Sequence, residues 1–307
     1  MSTSPALPEP FSGIIPPMVT PLSDQDRIDV EGTGRLVEHI LAGGVHGLFI
    51  LGTTGEGPGL SHDLRREFID LVCRQVAGRV PVLVGITDTS LVECLAVAEH
   101  SAAAGAAGLV LSAPYYFPAT QDELLSHMLR TIPQFPLPVF LYNMPSHTKL
   151  AFEPDTVRRL MDVPNAVGMK DSSGNMTYFH TLREITRQRP GWTLLVGPDT
   201  LLGESVMLGG DGGVCSGANL CPRLLVEVYE AAKRGDGARV AELQPMVMRI
   251  RQGVYSVGSS GAKVAKGLKC ALSCLGICDD FMAEPFQRHG ELQREQIRRN
   301  LEEEHDG

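Results

Sequence analysis

The chain has 307 residues, 43% apolar and 21% charged, the make-up of an ordinary globular protein with room for a barrel plus an appendage. A net charge of −9 argues against nucleic acid or an anionic membrane as the main partner, but not against a small anionic substrate, which responds to the local field of its pocket. No apolar run is long enough to span a bilayer, and seven cysteines without disulfide-framework spacing point to a reducing cytoplasm.

Residues 1–12 lack a basic region and an apolar core, so they read as a loose tail rather than a secretory signal. From Gly13 the chain alternates. Gly13 to Thr20 is an apolar strand broken by Pro16-Pro17, and Asp29 can cap a helix through Leu36, Val37 and Ile40 that Gly43-Gly44 ends. His46 to Leu51 is a strand, followed by the loop Gly52-Thr53-Thr54-Gly55-Glu56-Gly57 and a helix from Asp63 to Ala77 with Ser61 as its cap. Pro81 to Ile86, Gly108 to Ser112, Pro138 to Tyr142, Asn165 to Lys170, Trp192 to Val196 and Gly212 to Cys215 read as further strands. Helices near 90–104, 121–132, 154–161, 176–188, 200–208 and 222–234 follow them in turn.

The strands are continuous apolar runs, as in parallel sheets covered on both faces. Glycine stops recur at Gly43-Gly44, Gly105 and Gly209-Gly210, at roughly 30 residues per unit, the size of a strand–helix repeat. Eight such units predict an α/β fold, a (β/α)8 TIM barrel over residues 13–234. A doubly wound sheet is the rival, but Ile15-Pro16-Pro17-Met18 stands where its phosphate-binding glycines belong. Beyond Gly235 the strands stop. Three helices, at 238–254, 261–275 and 291–303, make a C-terminal helical region over 235–307.

In this fold chemistry gathers at the C-terminal strand ends. Those ends carry Thr20, Thr53-Thr54, Asp88, Tyr115-Tyr116, Tyr142, Lys170, Gly197-Pro198-Asp199 and Cys215-Ser216. Lys170 closes an apolar strand, where a buried ammonium is costly unless paired or neutral. It is either a lysine that snorkels to water or an amine nucleophile that forms a Schiff base with a carbonyl. The hydroxyls around it favour the second. A tyrosine can shuttle protons, and the Gly52–Glu56 loop offers N–H groups and two threonines to a carboxylate. His, Asp and Glu show no ligand spacing, which disfavours a metal-dependent aldolase. His39 and His46, at a helix end, read as structural, and Cys270, Cys274 and Cys278, one helical stripe, read as buried hydrophobes.

Four motifs occur in order at barrel spacing: Gly52-Thr53-Thr54-Gly55-Glu56, Pro114-Tyr115-Tyr116, Tyr142-Asn143-Met144-Pro145 and Val167-Gly168-Met169-Lys170-Asp171. Together they resemble the dihydrodipicolinate synthase / N-acetylneuraminate lyase family of class I Schiff-base aldolases, over about residues 11–290. The resemblance implies that Lys170 forms the Schiff base with pyruvate or another 2-keto acid, with no separate cofactor. It implies Tyr142 as proton shuttle, Thr53 as its relay, and Thr53 and Thr54 as the carboxylate seat. Tyr116 would reach into a neighbouring subunit's site, which implies a homotetramer built as a dimer of dimers. Cys215 would offer a backbone carbonyl near the keto acid, and Gly197 a backbone contact near the second substrate.

The chain departs from the pattern at one place. Members that condense pyruvate with aspartate semialdehyde carry an arginine two positions after the proline of the tyrosine motif; here it is His147. Histidine cannot make the bidentate fork, and Lys149 is only a point charge. This turns the expectation toward an aldolase or dehydratase of 2-keto-3-deoxy sugar acids, with His147, Asp199 and Ser216 meeting substrate hydroxyls. The alternatives are 4-hydroxy-tetrahydrodipicolinate synthase, N-acetylneuraminate lyase, or a non-catalytic paralogue that only binds a keto acid.

Overall fold

Each repeat begins with a short apolar run that pairs in parallel with its neighbours and ends in a helix. The structure, a computed structural model, describes residues 5–305, with side chains through Glu302. The strands are β1 (Gly13–Ile14), β2 (Leu48–Ile50), β3 (Val82–Gly85), β4 (Gly108–Ser112), β5 (Val139–Asn143), β6 (Ala166–Asp171), β7 (Thr193–Val196) and β8 (Gly212–Gly213). They form one sheet in the order β1-β8-β7-β6-β5-β4-β3-β2. The ring closes beyond β1: Phe49 N donates to Pro16 O at 2.9 Å, Met18 N donates to Phe49 O at 2.8 Å, and Pro17 bridges Phe49 in parallel. The fold is the expected TIM barrel.

The outer helices are α1 (Val30–Ala42), α2 (His62–Val76), α3 (Leu91–Ala104), α4 (Gln121–Thr131), α5 (Pro154–Leu160), α6 (Met176–Thr186), α7 (Leu202–Met207) and α8 (Pro222–Lys233). Caps set several starts. Asp29 accepts from Gly32 N, Ser61 from Leu64 N, Ser90 from Glu93 N, and Thr120 with Glu123 makes a reciprocal capping box. The C-terminal region contributes α9 (Gly237–Ile250), α10 (Lys263–Cys274) and α11 (Glu291–His305).

Apolar residues on both strand faces produce two cores. On β5, Val139 and Leu141 pack outward against the helices, while Phe140 and Tyr142 point into the barrel with Phe49, Leu83, Val110, Leu195 and Val214. β6 sits one strand over with Tyr142 opposite Lys170, so Lys170 shares the interior face and Met169 the outer one. Gly168 makes this possible: a Cβ there would lie 2.8 Å from the Phe140 ring and 2.8 Å from Thr193.

Three features differ from the sequence expectation. The first and last strands are two residues each, because Pro16 and Pro17 offer no N–H to the ladder and the chain after Gly213 turns into a short 3-10 helix at Ser216–Asn219. An antiparallel hairpin, Leu22–Asp24 with Arg27–Ile28, lies between β1 and α1, with Asp26 at φ +51° in its turn. Part of the expected tail is anchored: Phe11 is 2% exposed and, with Leu7, packs on the interior core, while residues 5, 6 and 8–10 are exposed. The expected tail's first four residues lie outside the described residues.

The histidines and cysteines read as structural take structural positions. His39 Nε2 lies 3.0 Å from Leu220 O, and His46 Nδ1 accepts from Ile14 N at 3.2 Å. Cys270 and Cys278 are buried, and burial pushes both thiols up to about 12; Cys274 is half-buried, and the helix ends there, so Cys278 lies beyond the expected stripe. Among the described residues no three His, Cys, Asp or Glu gather to hold a metal, and no helix is long and apolar enough to cross a membrane.

Candidate active site

The lysine that ends the apolar run of β6 is 6% exposed, so it does not snorkel to water. Its Nζ lies 4.2 Å from the centre of the Tyr142 ring and 5.2 Å from that of Phe49. Two aromatic faces cradle the amine on the apolar side. The Tyr142 hydroxyl meets Thr53 Oγ1 at 3.2 Å. Lys170, Tyr142 and Thr53 therefore come together from β6, β5 and the loop after β2.

That loop is tightly folded. Leu51 and Glu56 both take left-handed backbone (φ +59° and +56°), an uncommon conformation for side-chain-bearing residues that concentrates at functional sites. Thr20 Oγ1 donates to Gly55 O at 2.7 Å. At the far end of the loop the Glu56 carboxylate pairs with the ammonium of Lys269 from α10, both buried. Glu56 Oε2 also accepts from Ala283 N at 2.9 Å, and Lys269 Nζ donates to Phe281 O at 2.7 Å. Burial pushes the Lys269 amine below the usual lysine range, against the pull of Glu56. The turn bearing Thr53 and Thr54 is thus bolted to the C-terminal region.

The second wall comes from the loops after β7 and β8. Thr54 Oγ1 and Ser216 Oγ lie 2.9 Å apart. Asp199, buried, accepts at Oδ2 from Gly217 N at 2.8 Å and from the Tyr255 hydroxyl at 2.5 Å. Burial pushes the Asp199 carboxyl up, opposed by Tyr255, the Gly217 and Ser216 N–H groups and the nearby charge of Lys170. Asp199 Oδ2 is thus committed to protein donors, whereas the sequence suggested substrate hydroxyls. Cys215 is fully buried on the helix side, and burial pushes its thiol well above the ordinary range. Its side chain packs in the outer core, and its carbonyl accepts from Ala218 N at 3.2 Å. Gly197 N donates to Asp171 O at 2.7 Å, and a Cβ on Gly197 would collide with Ser172 Oγ.

Two expected residues stand apart from this cluster. Tyr116 is 84% exposed, at φ +85°, with its ring edge-on to that of exposed Phe117 at 5.1 Å. His147 lies at the surface of the short helix Pro145–Thr148, with Nδ1 2.9 Å from Ser146 Oγ. Partial burial and then Lys149 push its imidazole below the ordinary histidine range. Asp88, another strand-end residue, is engaged elsewhere. It binds Arg65 at 2.9 Å and His62 at 3.0 Å.

Sequence reasoning missed Tyr255, Lys269 and the Asn143–Asp171 pair, whose side chains join at 2.8 Å. Lys269 did carry a signal. It is a lysine flanked by Leu268, Cys270 and Leu272 on a buried helix face, the same anomaly that marked Lys170. Tyr255 carried none, because its reach depends on the π-helical turn Arg251–Tyr255 that follows α9.

A closed barrel with an amine inside it and a tyrosine–threonine hydroxyl pair beside that amine is the equipment of a class I lyase, and the chain belongs to that class. The model of the Dihydrodipicolinate synthetase family matches residues 10–304, so the chain is a member of that family. Family members use a lysine Schiff base with pyruvate and need no cofactor. A solved dihydrodipicolinate synthase from Bacteroides thetaiotaomicron is 49% identical, with a TM-score of 0.94 over 97% of this chain and all of that one. YagE, a prophage protein of the same family from E. coli K12 solved in complex with pyruvate, is 29% identical, with a TM-score of 0.89 over 95% and 98% of the two chains. The 4-hydroxy-tetrahydrodipicolinate synthase of a Chelativorans species is 35% identical over 278 residues, 90% of this chain and 92% of the relative.

Proposed function

We propose that Lys170 forms a Schiff base with pyruvate and that the enzyme condenses it with aspartate semialdehyde, as a 4-hydroxy-tetrahydrodipicolinate synthase. The names of the relatives support this choice of second substrate over the 2-keto-3-deoxy sugar acids that His147 suggests. The observation that carries the chemistry is the inward Lys170 amine over the Tyr142 ring, with the Tyr142 hydroxyl 3.2 Å from Thr53.

The amine adds to the ketone carbon of pyruvate, and the resulting hydroxyl leaves as water with a proton relayed by Tyr142 and Thr53. The iminium draws electrons from the adjacent methyl, which loses a proton and becomes an enamine carbon. That carbon attacks the aldehyde of the second substrate. The carboxylate of pyruvate rests on the Thr53–Thr54 turn, and the Cys215 carbonyl and Gly197 line the remaining walls. Tyr116 completes the relay in a neighbouring subunit of a homotetramer arranged as two dimers. Its strained, exposed position supports that role. We place the enzyme in the cytoplasm, without nucleic-acid or membrane partners.

One observation favours a second reading, an aldolase or dehydratase of 2-keto-3-deoxy sugar acids. His147 stands where a bidentate arginine would grip the semialdehyde's carboxylate. A panel of aspartate semialdehyde, N-acetylneuraminate and several 2-keto-3-deoxy sugar acids tests both readings. Pyruvate consumption dominated by aspartate semialdehyde supports the synthase; pyruvate release dominated by a sugar acid overturns it.

A further inference from the structure

The C-terminal region is placed by sequence as an appendage, yet one of its side chains ends at the catalytic face. The π-helical turn after α9 widens the helix and turns the hydroxyl of Tyr255 inward. That hydroxyl donates to Asp199 Oδ2 at 2.5 Å, and the same oxygen accepts from Gly217 N at 2.8 Å. Gly217 follows Ser216, whose hydroxyl lies 2.9 Å from Thr54 Oγ1. Three hydrogen bonds, joined by the Ser216–Gly217 peptide link, therefore run from the C-terminal region through Asp199 and the β8 loop to the turn that offers its hydroxyls to a carboxylate.

From this geometry we infer that Tyr255 is a positioning residue. By holding Asp199 against Gly217 it fixes Ser216, and through Ser216 it sets the Thr54 hydroxyl that receives the carboxylate of the keto acid. The inference rests on the Schiff-base reading above and adds to it a residue outside the barrel. The physical reason is the cost of an underpaired buried carboxylate. Asp199 is 7% exposed, and its pairing with the β8 loop is maintained only while its donors are in place. Without the Tyr255 hydroxyl, Asp199 Oδ2 loses one of its two donors, and the β8 loop loses its tie to the C-terminal region. The consequence falls on pyruvate binding. Lys170 and Tyr142 are held by β6 and β5, and Tyr255→Phe keeps the Asp199 charge that lies near Lys170, so in that variant the chemical step at the amine is preserved.

The test is a pyruvate titration of adduct formation under borohydride, which needs no second substrate. Two quantities are read: the pyruvate concentration for half-maximal trapping and the trapping rate at saturation. Tyr255→Phe is expected to raise the half-saturation concentration about tenfold, the loss of one charge-assisted hydrogen bond, with the saturated rate within about twofold of wild type. An unchanged half-saturation concentration in folded Y255F protein overturns the inference. So does a saturated rate that collapses while half-saturation stays put. Asp199→Asn, of the same size, is the second variant and keeps the test decisive if Y255F does not fold; it too must raise half-saturation. In the double variant the Tyr255→Phe effect is expected to vanish, because its only route is Asp199; independent addition of the two effects contradicts that route. Wild-type protein that traps no pyruvate would instead refute the Schiff-base reading, a separate outcome.

Discussion

Replacing Lys269 with methionine tests whether the C-terminal region holds the carboxylate loop in place. Lys269 is fully buried, its partner Glu56 is 6% exposed at the side chain, and the two form an ion pair inside the protein. Methionine keeps most of the volume, so cavity formation is a minor cost. What remains is a buried Glu56 carboxylate with the Ala283 N–H as a donor, and a Phe281 carbonyl stripped of its ammonium. Breaking one side of such a pair costs roughly 3–5 kcal/mol. For a chain of this size that lowers the melting temperature by roughly 5–10 °C. Adding Glu56→Gln removes the stranded charge and is expected to restore about half of the loss, since a neutral amide can keep the Ala283 bond. Urea melts of the single and double variants measure both effects. A Lys269→Met cost below about 1 kcal/mol, or a double variant no better than the single, refutes the reasoning.

Tyr142→Phe removes the hydroxyl proposed as proton shuttle and leaves Lys170 in place. Turnover should fall by about 10²–10⁴, while slow pyruvate trapping on Lys170 persists, measured by steady-state kinetics and mass spectrometry. Tyr116→Ala should leave the fold of the full-length chain intact by circular dichroism, since Tyr116 is 84% exposed, and reduce turnover sharply; full activity in the variant would detach Tyr116 from the relay. His147→Arg should lower the KM for aspartate semialdehyde relative to its wild-type value, and a KM that rises would count against a carboxylate grip at this position. The acid limb of stability should report Asp88. Burial alone would raise its carboxyl, but His62, the Ser90 N–H and Arg65 overcome that and hold it at about 2, against an ordinary value of 3.8. A depressed folded-state value stabilises the fold above the unfolded value and loses that contribution as pH falls through the folded one. Asp88→Asn should therefore cost about 2 kcal/mol at neutral pH, with the difference from wild type closing between about pH 4 and pH 2 in urea melts.

The barrel was legible because its strands are apolar on both faces and several of its helices begin at side-chain caps. Asp29 and Ser61 each cap where the sequence suggested. The two-residue strands at the seam were not, because there the ring closes through proline carbonyls and one isolated bridge, which leave no periodic pattern. At the site, Lys170, Tyr142 and Thr53 could be picked out since each ends or follows an apolar strand. The sequence also suggested Asp199 and Ser216, but not their partners. Tyr255 reaches Asp199 across 56 residues through a π-helical turn, and Ser216 reaches Thr54 across 162. Such contacts depend on tertiary placement, which no local spacing encodes. The second substrate is the point at which sequence and relatives diverge. His147 pointed to sugar acids, whereas relatives matched over nearly the whole chain carry the name of the synthase.

The proposed mechanism turns on the buried amine of Lys170 as the nucleophile. Incubation with pyruvate and borohydride, followed by peptide mass spectrometry, measures it directly. The account predicts one reduced pyruvate adduct on the peptide containing Lys170, absent from Lys170→Ala protein of unchanged fold. Unmodified Lys170 in folded wild-type protein, or an adduct on another lysine, would contradict it.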